Sequence, residues 1–152
     1  MGLDATIRCR CFEEDATDPL PFPREWLAVD DQGGLVLRPE HETPERFWQL
    51  RDWMNVACAH AGMDLVVLAI GEWDDVYRFR DSLARDPGRF GVLLAELPVA
   101  NGGALEPSLC ALALEELDSL GPDLEAGHAG VVEALRTVLG ASVATGNPVR
   151  WW

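Results

Sequence analysis

Between His128 and Val143 apolar side chains recur at intervals of three and four: Val131, Val132, Leu135, Val138, Leu139 and Val143, with Ser142 on the same stripe. That period belongs to an α-helix with one buried face, and Gly146-Asn-Pro148 marks its end. A helix this apolar along one side needs a surface to cover it, and the remaining chain must provide one.

The remaining chain offers short strands. From Ala5 the residues alternate, with Ile7, Cys9 and Cys11 on one face and Arg8, Arg10 and Phe12 on the other, which predicts a half-buried strand over 3–12. Trp26–Val29 and Leu35–Arg38 flank Asp30-Asp-Gln-Gly-Gly34 and read as a β-hairpin. Leu65–Ile70 is a continuous apolar run, the pattern of a buried strand. Gly91–Pro98 reads as a further strand or a helical turn, and Val149-Arg-Trp-Trp as a terminal strand.

Three more helices fit the spacing. Thr43-Pro44 supplies an N-cap and a first-turn proline for a helix that carries Phe47, Leu50, Met54, Ala57, Cys58 and Ala61 to a stop at Gly62. Glu72–Arg85 buries Val76, Phe79 and Leu83, and Pro107–Leu120 carries Leu109, Leu112, Ala113 and Leu117. The expectation is a single α+β domain over residues 1–152, a small and mostly antiparallel sheet packed with about four helices.

Charge narrows the partners. The chain carries 26 acidic residues against 12 basic ones, a formal net charge of −14. Phosphate backbones and anionic membranes both select clustered cations, so the composition argues against nucleic acid and against a membrane surface. No residue is Lys, so each cation is a planar guanidinium suited to bidentate carboxylate pairing. The residues after Met1 lack a long apolar region, and the four cysteines, at 9, 11, 58 and 110, then read as reduced thiols of a cytoplasmic protein.

Four stretches look like landmarks: Gly2-Leu-Asp-Ala-Thr-Ile-Arg-Cys-Arg-Cys-Phe12, Ala57-Cys-Ala-His-Ala-Gly62, Asn101-Gly-Gly103 and Thr145-Gly-Asn-Pro-Val-Arg-Trp151. In these the chain resembles a family of uncharacterised bacterial proteins over most of its length. The resemblance implies a shared fold and brings no activity and no catalytic residues.

One arrangement has the elements of a metal site. Cys9-x-Cys11 with Cys58-x-His60 would give three thiolates and an imidazole, a legitimate tetrahedral zinc set. Two points weigh against it. On a helix running to Gly62, Cys58 and His60 would point about 200° apart, and the spacing departs from the usual C-x₂₋₄-C pairs. Buried structural thiols are therefore the expectation, with no cofactor. For nucleophilic chemistry there remains only a pairing of Cys58 or Cys110 with His41, His60 or His128. No Gly-x-Ser-x-Gly elbow, P-loop or dinucleotide fingerprint occurs.

Carboxylates cluster at Glu72, Asp74 and Asp75, where a helix start accounts for them. Glu13, Glu14, Asp15 and Asp18, and again Glu115, Glu116 and Asp118, have no such local duty and are the candidate surface for a partner. The expected function is an acidic cytoplasmic binding protein, of the immunity or inhibitor type, that engages a basic protein such as a toxin. Two alternatives stand beside it. One is a small metal- or thiol-dependent enzyme or ligand-binding domain around Cys9, Cys11 and Cys58. The other is an oligomeric structural or regulatory domain using a surface rich in the six tryptophans.

Overall fold

The alternation at the N-terminus forms a strand, but a shorter one than the sequence predicts. In the computed structural model, which describes residues 2–152, β1 runs Gly2–Arg8 and buries Leu3, Ala5 and Ile7. Its pairing is interrupted between Ile7 and Arg8, so Cys9 and Cys11 leave the alternating face of Ile7. Then come β2 (Leu27–Val29), β3 (Leu35–Leu37), α1 (Pro44–Met54), β4 (Asp64–Glu72), α2 (Trp73–Leu83) and α3 (Gly91–Glu96). β5 (Ala104–Leu105), α4 (Pro107–Asp118), α5 (Pro122–Gly127), α6 (Ala129–Thr145) and β6 (Val149–Trp151) complete the described residues.

The architecture is α+β, as expected. Four strands form an antiparallel sheet in the order β4-β1-β6-β5, and β2 and β3 pair as a separate hairpin. Six helices accompany them among the described residues; α3 and α5 are short and exceed the four expected. Gly91–Glu96 takes the helical alternative, because the Glu116 carboxylate accepts hydrogen bonds from the amides of Val92 and Leu93 at its first turn.

Two hydrophobic clusters divide the interior. The larger lies between the sheet and α2, α3, α4 and α6, where Val131, Val132, Leu135, Val138 and Leu139 form the buried stripe read from the sequence. Ser142 sits on that stripe and satisfies its hydroxyl by donating to the Asn147 carbonyl, 2.7 Å away. The smaller cluster joins the hairpin, α1 and the segment after β1 through Cys9, Phe12, Leu27, Leu35, Leu37, Leu50, Trp53, Ala57 and Met63.

The run Leu65–Ile70 corrects one expectation. β4 is an edge strand with one solvated face, so Leu65 and Val67 are exposed while Ile70 is buried. β1 alone among this pair has a neighbour on both sides. The two terminal tryptophans also separate. Trp151 is in the larger core, whereas the half-exposed Trp152 lies on the other face and donates from its indole to Thr6 Oγ1 at 3.0 Å.

Truncation should reveal this asymmetry. Leu135→Ala removes a fully buried side chain and is expected to cost about 3 kcal/mol, whereas Val67→Ala, at 69 % exposure, should change stability by less than about 0.5 kcal/mol. Urea denaturation of the two variants checks both values.

Candidate metal centre

The first pair of ligands follows β1. After Arg8 the chain turns through Cys9–Ala16, held by Glu14 N–H to Arg10 O and Ala16 N–H to Cys11 O. Arg8 is buried to 2 % exposure and sets the base of this turn. Its Nε donates to Gly33 O at 2.6 Å and its two terminal nitrogens grip both oxygens of Glu13. Gly33 has φ 77° and lies against Pro148, so close that a Cβ would stand 2.6 Å from the proline ring. No other residue would let the hairpin carbonyl come so near. Buried Asn147 closes the arrangement from the far end of the chain, donating to Arg8 O at 2.7 Å and Cys9 O at 3.2 Å.

The second pair precedes β4, and here the sequence expectation fails. The helix stops at Met54 rather than Gly62, and Cys58 and His60 lie in the connection that follows. The helical angle that would have separated them therefore does not apply. The connection ends in consecutive left-handed residues, Gly62 at φ 63° and Met63 at φ 62°. Met63 is fully buried, and its carbonyl accepts from Cys9 N–H at 2.8 Å. A non-glycine residue in that region is strained and is held by its surroundings.

The four side chains meet. The ligand atoms of Cys9, Cys11, Cys58 and His60 all lie within 4.8 Å of one another. Cys9 Sγ is 3.8 Å from Cys58 Sγ, and His60 Nδ1 is 3.4 Å from Cys11 Sγ and 3.7 Å from Cys58 Sγ. Zinc bonds of about 2.3 Å to sulfur and 2.0–2.1 Å to nitrogen give tetrahedral edges of about 3.8 Å between sulfurs and about 3.6 Å between sulfur and nitrogen. Three of the six edges, at 3.8, 3.4 and 3.7 Å, are close to those values, and all four ligand atoms lie within 4.8 Å of one another.

Without a cation the thiols of Cys9 and Cys11 hold their protons. Burial, supplemented by the neighbouring cysteines, pushes the Cys9 thiol up to about 12, and burial raises Cys11 as well. They are thus poor nucleophiles in the protonated state, and a divalent cation is what would turn them into thiolates. Cys110 is apart, buried in the larger core beneath Leu105 O, with its thiol also raised by burial.

No family model, curated protein or solved structure matches the chain.

The acidic candidates are placed as follows. Glu13 pairs with Arg8, Glu14 with Arg10 at 3.4 Å, and Asp15 with Arg24; Asp18 is exposed and uses its amide on Ala57 O. Glu116 serves the α3 amides and Asp118 pairs with Arg136 at 3.5 Å, which leaves Glu115 exposed without a partner among the described residues. Most of the carboxylates read as lacking a local duty therefore have one. The two runs stand on different parts of the fold, the first beside the four ligands and the second on α4.

Sequence reasoning missed Arg8 and Asn147. A single Arg in an alternating strand gives no signal that it turns inward, and Asn before Pro reads as a turn residue. Glu13 offers the check. Burial alone would raise its carboxyl, but the hydrogen bonds and charge of Arg8, with Arg10, outweigh it and hold the group below its ordinary value. A lowered folded-state value means stabilisation that is full above the unfolded carboxylate range, near pH 4.3, and is lost as pH falls through the lowered value. Glu13→Leu should cost about 1–3 kcal/mol at neutral pH by taking the carboxylate from the buried Arg8 guanidinium, and should flatten that part of the acid limb in pH-dependent denaturation.

Proposed function

We propose that the chain is a binding protein without a catalytic centre, organised around a structural zinc ion on Cys9, Cys11, Cys58 and His60. The mutual approach of those four ligand atoms to within 4.8 Å carries the reading. Four protein ligands leave no position for water or substrate, which is the habit of structural zinc; catalytic zinc keeps one position open. Thiolates and an imidazole favour zinc over magnesium or calcium. The location supports the same view, since Cys9 follows the sheet's β1 while Cys58 and His60 follow α1 of the smaller unit. That unit has nine buried apolar residues to hold it together, and small cores are where a metal contributes most to folding.

Purified protein should contain one equivalent of zinc by elemental analysis. Cobalt substitution should give the ligand-field bands of tetrahedral thiolate coordination. A strong chelator should lower the melting temperature, and Cys58→Ser should abolish stoichiometric binding. Metal-free protein whose stability is indifferent to added zinc would remove the proposal.

A second reading concerns the partner. The surplus of carboxylates at a net charge of −14, with Asp18 and Glu115 exposed, supports attraction to a basic protein, in the manner of an immunity or inhibitor protein acting in the cytoplasm. Such a complex should be recovered from the native source in fixed stoichiometry and should weaken steeply with salt. A single species of monomer mass at low ionic strength, seen by light scattering on the same material, would count against it.

A further inference from the structure

The hairpin and α1 share the smaller core, yet they do not close against each other along their whole length. Between β3 and α1 lies an apolar cavity of about 350 Å³, walled by Leu35, Leu37, Leu50, Met54 and the ring of Phe47. Glu42 and Arg51 also border it. A second, more open hollow of about 440 Å³ adjoins it at the start of α1; it shares Glu42 and Phe47 and adds Trp48. Glu42 and Phe47 are the common border of the two, so an apolar hollow lies beside one made of aromatic rings and a carboxylate.

The chemistry of the second hollow is that of a cation receptor. The rings of Phe47 and Trp48 meet nearly at right angles, with centroids 5.3 Å apart and 79° between planes, and both residues are exposed. The Glu42 carboxylate has no ion pair or side-chain hydrogen bond among the described residues. An ammonium group is attracted by ring faces and by an adjacent carboxylate together, and the net charge of −14 draws cations towards the whole molecule. The start of α1 offers little to an anion: Pro44 has no amide hydrogen, the Arg46 amide is taken by Thr43 Oγ1 at 3.3 Å, and the amide between them belongs to Glu45, itself acidic. Arg51 is placed over the Trp48 ring, 5.7 Å from its centroid, so this ring already holds a cation at one face, and Arg51 also borders the apolar hollow. A second copy of this chain is a poor occupant, since each copy would bring a further −14.

We infer that the two hollows together bind a small amphiphilic amine, with the ammonium among Glu42, Phe47 and Trp48 and the apolar body in the cavity between β3 and α1. A volume of about 350 Å³ lies at the small end of ligand sites, roughly 300–1,000 Å³, and suits an alkyl or aryl chain better than a folded partner. The inference is independent of the metal, because none of the four metal ligands borders either hollow.

The test is calorimetric titration of the full chain, its metal content measured beforehand, with octylammonium, octanoate, octanol and methylammonium. Octylammonium should bind one to one and quench Trp48 fluorescence, while the anion, the neutral alcohol and the bare head group bind at least about ten-fold more weakly. Glu42→Gln changes an exposed carboxylate and should weaken octylammonium about five- to ten-fold with the melting temperature unchanged, and Phe47→Ala, which also trims a cavity wall, should weaken it at least as much. Glu115→Gln, a remote carboxylate, should leave binding as it is. Octanoate or octanol binding as tightly as octylammonium to the unmodified chain would overturn the inference. So would several weak sites indifferent to Glu42→Gln, or no binding.

Discussion

The antiparallel pairing of β1 with β4 is the constraint on which the rest depends. Its register sets Arg8 opposite Asp64, so the residues that leave β1 and those that enter β4 emerge at the same end of the sheet. Cys9 and Cys11 are the former, and Cys58 and His60 come just before the latter. A separation of 49 residues in sequence thereby becomes a sulfur–sulfur distance of 3.8 Å. An antiparallel ladder defines register to one residue, because a slip would turn Leu3, Ala5 and Ile7 out of the core.

Around that end of the sheet the molecule buries polar groups and satisfies them. Arg8 reaches the hairpin through Gly33 and the following turn through Glu13, and Asn147 reaches back from the end of α6 to the carbonyls of Arg8 and Cys9. Two segments distant in sequence, and the turn that follows the strand, are thus tied to one strand end. Buried polar groups with partners define a single arrangement, since any other leaves a charge or an amide stranded. The same network accounts for much of the acidity near residue 13, which is spent on guanidinium pairing within the fold.

Periodic elements were legible in the sequence. α2, α4 and α6, the hairpin and the terminal strand stand where the spacing puts them, because one-sided burial leaves a period of 3.6 or 2. Failures fell where burial and local geometry part company. Ala57, Cys58 and Ala61 continue the apolar spacing of α1, yet the helix has ended; Ala57 belongs to the smaller core from a loop. Leu65 and Val67 are apolar in an edge strand's solvated face, and a continuous apolar run does not distinguish that from a buried strand.

The sequence by itself determined the helices, the sheet-forming segments, the acidic balance and the inventory of four metal-competent side chains. These are properties of local spacing and composition. Only the tertiary structure decided that Cys9, Cys11, Cys58 and His60 converge, that Arg8 is buried, and that an aromatic and acidic hollow stays open beside α1. Convergence depends on strand register and on where a helix stops, and both are settled by which packing satisfies the buried groups of the whole chain.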